Sequence, residues 1–480
     1  MLRVKEIKNN NNGTIYLDPY YIDYLCFTDA SGSSNTLTLT KTDGGRTPVI
    51  TLEYSTDKVN WTTWTESNNV RTYTIPANGK VYLRGVNPNG ICYNGSNKHT
   101  FSSTKNVRAS GNIMTIADGV GRRTDITRPF FSSLFMDMTT LLTAPNFPSG
   151  GMKLGDSSIT RMFSGCTNLT NAPSITISSM ATGWCCARMF TNCSSLTDVS
   201  NIHLNSTNIP QESLIGMFEG CSSLTTPPTI TSSALTIASG GLNAMFKDCT
   251  NLTNTPSITI SSMTSGWCCQ HMFENCTSLT DASNVHLNAT IIPTNGYNNM
   301  FRSCTSLTTA PSFTTDGITL NELSMGGMFR NTALTTAPSV KIVSEGNQST
   351  DSTFRECSSL TSAANFKLNA TSLGRRTCYT MFQDCVNLVT PPEIMATSIY
   401  GDSTDSGYGS LAGMFRNCSK LSTIKVHFTS WNTQATQNWT YGTKSTGTFY
   451  KPSSLPSTKN ASGNTTNPDY IPYNWTVTNI

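Results

Sequence analysis

The apolar and polar positions of this chain are ordered on two scales. In a short window, Met162-Phe163 is followed by Cys166 and Leu169, then by Pro173 and the alternating run Ile175-Thr176-Ile177. Apolar residues at i, i+1 and i+4 predict a short helical turn for the first part, and the alternation predicts a strand with its isoleucines on one face. On the longer scale the whole pattern returns. Met-Phe-x-x-Cys-x-x-Leu-Thr-x-x-Pro begins at Met162, Met189, Met217, Met245, Met272, Met300, Met328, Thr353, Met381 and Met414. A degenerate copy at Leu134-Phe135 keeps Met138, Leu141 and Pro145 in register, and the steps average 28 residues.

A larger module of three units lies over this one. Ser174 to Met180, with Gly183-Trp184-Cys185-Cys186, returns 83 residues later as Ser257 to Met263 with Gly266-Trp267-Cys268-Cys269. Asn201-Ile202-His203-Leu204-Asn205 returns as Asn284-Val285-His286-Leu287-Asn288 and again as Asn365-Phe366-Lys367-Leu368-Asn369.

A 28-residue unit is too small to bury its own apolar face, so successive units must stack as the coils of a solenoid with their strands in a parallel sheet. Equivalent side chains then form columns. The aromatic column is Phe135, Phe163, Phe190, Phe218, Phe246, Phe273, Phe301, Phe329, Phe354, Phe382 and Phe415, and the leucine column from Leu141 to Leu421 is filled throughout. A third column holds Cys166, Cys193, Cys221, Cys249, Cys276, Cys304, Cys357, Cys385 and Cys418, with Met138 and Thr332 in the two remaining coils.

These residues carry a resemblance. The Phe-x-x-Cys-x-x-Leu core with a period in the twenties resembles the BspA-like leucine-rich repeats of bacterial surface proteins, over about residues 130 to 430, although the coil is longer and a Pro stands where many members carry an aliphatic residue. The resemblance implies a curved solenoid used for adhesion or protein contact, and it implies no activity. The expected fold is therefore mostly β with short helices: a leucine-rich-repeat-like solenoid of about eleven coils over residues 116–428.

The flanks lack the repeat. Residues 17–115 show strand patterning at Asn35 to Lys41, Val49 to Tyr54, Trp61 to Trp64, Arg71 to Ile75 and Lys80 to Arg84, which predicts an antiparallel β-sandwich of immunoglobulin-like or carbohydrate-binding-like type. Glu53 to Trp61 faintly resembles the Asp-box of sialidase propellers but lacks its Gly and spacing, so it is read as a hairpin. Residues 1–16 are expected to be an N-terminal attachment segment, and the Trp/Tyr/Thr-rich residues 429–480 a C-terminal cap.

Cysteine is the first candidate for chemistry. Coils about 4.8 Å apart would permit disulfides, but nine column cysteines are an odd number, and Met138 replaces a buried thiol more easily than half a bond. A straight column does not surround a point as tetrahedral zinc requires. The column is read as buried, reduced thiols acting as small hydrophobes. Cys185-Cys186, Cys268-Cys269 and Cys378 are read as core packing beside Trp184 and Trp267. Histidine is scarce, with His203 and His286 at one exposed module position that Lys367 fills in the third copy. Asp198 and Asp281 are read as turn residues, and Arg122-Arg123 and Arg375-Arg376 as solvated surface or inter-chain contacts. No metal-ligand, nucleophile or phosphate-loop motif appears, so no catalytic residue, cofactor or metal is expected.

Charged residues make up only 12% of the 480, with a net charge of +4, so Ser, Thr and Asn must cover the surface and nothing marks a nucleic-acid partner. No apolar run is long enough to span a bilayer, so no membrane insertion is expected. With Met1 as the native start, the N-terminus lacks the apolar centre of a signal peptide, which places synthesis in a cytoplasm. This composition and layout resemble virion-associated proteins of phages infecting gut bacteria. The expected function is non-enzymatic: a virion head or tail fibre or decoration, joined to other virion proteins through its N-terminal region and meeting a host surface protein or glycan, with self-association an open option. The alternatives are a bacterial cell-surface adhesin and an accessory glycan-binding part of a carbohydrate-active system.

Overall fold

The structure is a computed structural model that describes residues 21–42, 45–94, 96–232, 234–402, 404, 409–462 and 468–480. The expected attachment segment 1–16 lies outside the described residues. The chain divides into two compact units, residues 1–206 with 220–231 and residues 207–219 with 232–480.

The first unit opens with eight strands: β1 (Leu25–Asp29), β2 (Asn35–Thr42), β3 (Glu53–Ser55), β4 (Thr62–Thr63), β5 (Val70–Ile75), β6 (Lys80–Arg84), β7 (Lys98–Ser103) and β8 (Val107–Ser110). They form two antiparallel layers, β8-β1-β6-β3-β4 and β5-β2-β7. Leu37 and Leu39 face inward from β2 and meet a core containing Phe27, Trp64, Leu83 and Phe101. That core does not end at the sandwich. Leu141–Thr143 pairs in parallel with β8, and the Phe135 ring stacks on Phe101 at 5.4 Å.

Beyond it lie parallel strands, each one coil further along the chain: Asp125–Ile126, Met152–Leu154, Ile175–Met180, Ile202–Leu204 and Thr229–Ile230. Register places Ile175 beside Ile202 and Ile177 beside Leu204, so the alternation read in the sequence becomes one buried and one open face. The second unit repeats this arrangement in further parallel groups, from Asn208–Ile209 through Ile258–Met263 and Val340–Glu345 to Thr476–Asn479. The molecule is a parallel-sheet β-solenoid.

The windings number about 13 across the two units, where the motif predicts eleven. The additional ones do not carry the Met-Phe-x-x-Cys signature. Asp125–Ile126 leads into the first copy at Leu134-Phe135 as Met152–Leu154 leads into Met162-Phe163, and the additional windings are those of Thr448–Lys451 and Thr476–Asn479, which continue the parallel pairing after the last copy. There Trp439 takes the place of a column phenylalanine, 6.3 Å from Phe415.

The expected helical turns are absent from the described repeats; among the described residues the one α-helix is Thr115–Asp118. Each Met-Phe-x-x-Cys segment is instead a chain of tight turns whose backbone donors alternate. Met162, Ser164 and Cys166 N–H donate three residues back in their own coil, while Arg161, Phe163 and Gly165 N–H donate to Ala187, Met189 and Thr191 O of the next, each at 2.9 Å. An α-helix would spend all of these donors internally and leave the adjacent coil unpaired. The turn chain is kept from becoming a helix by a left-handed residue every fourth position: Ser157, Arg161 and Gly165 in one coil, Trp184, Arg188 and Asn192 in the next.

Because these hydrogen bonds set the rise, the rings meet at stacking distance. Phe135, Phe163 and Phe190 have centroids 5.1 and 5.4 Å apart with planes within 7°. In the second unit the stack from Phe218 to Phe415 keeps spacings of 5.3 to 5.9 Å with planes within 13°. Every one of these rings is fully buried. Phe246→Ala removes a ring from the interior of the second unit's stack, and a loss of about 3 to 5 kcal/mol in chemical denaturation is expected.

Candidate functional site

The column cysteines are fully buried, and each thiol faces a carbonyl of the preceding winding. In the first unit Cys166, Cys193 and Cys221 Sγ lie 3.0 to 3.1 Å from Phe135, Phe163 and Phe190 O. In the second, Cys249, Cys276, Cys304, Cys357, Cys385 and Cys418 Sγ make the same contact to Phe218, Phe246, Phe273, Phe329, Phe354 and Phe382 O. Phe163 O accepts Cys166 N–H from its own turn as well as the Cys193 thiol, so both lone pairs of a buried carbonyl are met. Where Thr332 replaces a cysteine, its hydroxyl donates instead to Phe329 O of its own coil, at 2.9 Å. The thiol is therefore a weak donor as well as a filler. Burial pushes Cys166 and Cys221 up to about 12 and Cys357 up to about 11, so these thiols stay protonated.

The vicinal cysteines divide between two columns. Cys185 and Cys268 Sγ donate to Thr182 and Ser265 O at 2.8 Å, as Ser158, Ser324 and Thr377 hydroxyls do at the same point of other windings. Cys186, Cys269 and Cys378 occupy an apolar column with Ile159, Leu242 and Tyr297. The tryptophans beside them turn outward, Trp184 to 41% and Trp267 to 48% exposure. His203 lies between Thr176 and Thr229 on an outward row, and His286 between Thr259 and Ser312, with Nδ1 2.7 Å from the Ser312 hydroxyl. Asp198 and Asp281 each accept the backbone N–H two residues on, at 2.8 Å, as turn residues do. Arg123 and Arg376 differ from the surface reading: Arg123 covers the Phe130 ring, and Arg376 pairs with Asp351 at 2.8 Å.

Two features lie outside the columns. In the second unit Glu345 pairs with Leu320 in the register that Met263 shares with Ile237, so a carboxyl stands where a sister coil has a methionine. Its Oε2 is 3.5 Å from the Ser349 hydroxyl, while Oε1 is sealed from water and has no partner. Thr350 and Thr353, which replace a cysteine and a methionine, are fully buried nearby, and the Thr350 hydroxyl donates to Thr377 O at 2.7 Å. Burial pushes the Glu345 carboxyl up to about 8, so it is neutral at pH 7.

In the first unit an open cleft of about 1100 Å³ lies between sandwich loops and the first windings. The sandwich contributes Val49, Val86, Asn89 and Tyr93; the windings contribute Arg128, Ser132, Asp156 and Arg161. Val49, Val86 and Tyr93 are exposed to 93%, 65% and 46%, an unusual share of apolar surface for a region without a partner in its own fold. Arg46 leans on Tyr93, its guanidinium carbon 5.8 Å from the ring centre. An open wall of apolar, aromatic, amide and guanidinium groups can hold a polar ligand and fix its orientation.

The chain matches no model of a known protein family and none of the curated proteins compared with it. Among the described residues no group of three or more His, Cys, Asp or Glu is placed to hold a metal ion, and no helix is long and apolar enough to cross a membrane.

Sequence reasoning missed both features outside the columns. The polar interior had a signal, since the Met column breaks at Thr353 after a step of only 25 residues. The cleft had none, because its walls come from segments some 70 residues apart with no motif in common.

Native protein treated with iodoacetamide is expected to keep its sixteen cysteines unmodified, and to be alkylated at all of them after guanidinium denaturation, as read by intact-mass spectrometry. Glu345 supplies a pH dependence of definite sign. Its folded value of about 8 lies above the unfolded 4.5, so stability is greatest below pH 4.5 and falls as pH rises toward 8. The contribution is roughly 3 kcal/mol by pH 7. Glu345→Gln is expected to remove this slope in urea titrations at acidic and alkaline pH.

Proposed function

We propose that this protein is a non-catalytic adhesion and structural protein of a virion, a head or tail fibre or decoration, that holds a partner in the cleft of its first unit. The cleft carries this reading: it exposes apolar and aromatic side chains beside exposed guanidinium and amide groups, against a wall of stacked windings. The outward rows support it, because parallel strands present Thr176, His203 and Thr229, and Thr259, His286 and Ser312, as flat polar surfaces suited to a host glycan or a neighbouring subunit. The resemblance of the Phe-x-x-Cys-x-x-Leu ladder to BspA-like repeats favours a second setting, display on a bacterial cell surface, with the same binding role.

The test is direct. Mass spectrometry of purified particles is expected to find the protein, and the labelled protein is expected to bind host cells saturably, about tenfold more weakly after Tyr93→Ala. Its absence from particles together with its recovery on cell envelopes would move it to the second setting. Cell binding indifferent to changes at the cleft, or turnover of a bound glycan, would overturn the reading.

A further inference from the structure

We infer that the cleft of the first unit, continued onto the next winding, binds a glycan bearing carboxylate groups; this deepens the binding role proposed above and rests on it. Arg128 and Arg161 line the cleft and are exposed, and among the described residues neither guanidinium has a hydrogen bond or ion pair. Arg188 is equally exposed and follows Arg161 at the same place of the next coil, where Arg161 N–H donates to Ala187 O at 2.9 Å. Two guanidinium groups, Arg161 and Arg188, thus stand at one position of adjacent coils, with a rise of about 4.8 Å per coil. Fork-shaped donors of this kind match carboxylates two bonds at a time.

The uncharged part of the surface selects a sugar. Tyr93, exposed to 46% in the cleft, brings an aromatic ring for the C–H face of a pyranose, and Trp184, exposed to 41%, stands on the coil next to Ser157, whose N–H reaches Gly183 O. Asp156 is the one carboxylate of the lining, and with the exposed Asn89 amide it can accept and donate to sugar hydroxyls. A peptide would seek a free strand edge or a helix groove, and no lining residue belongs to a strand or a helix.

The experiment is calorimetric titration of the full chain with oligogalacturonate and oligosialic acid, set against neutral galactan oligomers, sulfated galactan oligomers and poly-glutamate. At least one carboxylated glycan is expected to bind, with neutral and sulfated sugars and the peptide at least tenfold weaker. Arg161→Asn and Arg188→Asn keep a residue tolerant of the left-handed backbone at these sites, and each is expected to weaken binding about tenfold at low salt, with the deficit shrinking in high salt, where screening already weakens the guanidinium–carboxylate contact. Equal binding of neutral oligomers, still weakened by Tyr93→Ala, would overturn the carboxylate class and leave the cleft a sugar site. Equal binding of sulfated sugars or of poly-glutamate would replace the inference with a general anion site or a peptide site. Binding of none of these by a protein that still binds host cells would overturn the inference while sparing the adhesion role.

Discussion

The rise from one winding to the next, set by backbone N–H groups that donate alternately within a turn and across to the neighbouring coil, is the constraint on which everything else depends. It brings equivalent atoms to a near-constant separation, and each column must then consist of side chains that tolerate a copy of themselves at that distance. Flat rings do so by stacking, with spacings of 5.3 to 5.9 Å in the second unit. Thiols do so because each reaches back to a phenylalanine carbonyl of the preceding winding. Charged side chains cannot, which is why the interior is apolar and the chain so poor in charge.

Against that background Glu345 stands out among the buried charged groups of its unit, because Asp351 pairs with Arg376 and Lys451 Nζ bonds Leu455 O, whereas one Glu345 oxygen has no partner. Its neighbours Ser349, Thr350 and Thr353 are small and polar and keep their own hydroxyls bonded to nearby groups, yet none reaches Oε1. The backbone ladder persists through this coil unchanged, with Phe354 N–H donating to Met381 O at 2.9 Å. The scaffold therefore holds its geometry where one column loses its apolar character.

The cleft arises from a different circumstance. The sandwich and the first coils of the first unit share a sheet through Leu141–Thr143 and a ring stack through Phe101 and Phe135, which holds the sandwich loops beside the turn chains. Residues on both sides are exposed because neither element covers the other there. The turn chain adds its own regularity, repeating the places of Ser157 and Arg161 as Trp184 and Arg188 one coil further on.

The periodic sequence by itself determined that the chain coils, which residues stack and which strand face is buried, because a repeated unit that cannot bury itself has only its own copies to pack against. It also marked one left-handed position: the residue before each column cysteine is usually Gly, Asn or Asp, as in Gly165, Asn192 and Asp248, the types that adopt that conformation at least cost. The other two left-handed positions carry Trp184, Arg188, His271 and Leu323, which no local preference predicts, so the interval of apolar residues read as a helix. Only the tertiary structure decided against it, because pairing with the next coil claims the donors that a helix would use. The coils without a motif, the neutral carboxyl of Glu345 and the cleft were likewise settled there, since each depends on what a neighbouring segment places opposite a residue, and a period in one dimension carries no record of that.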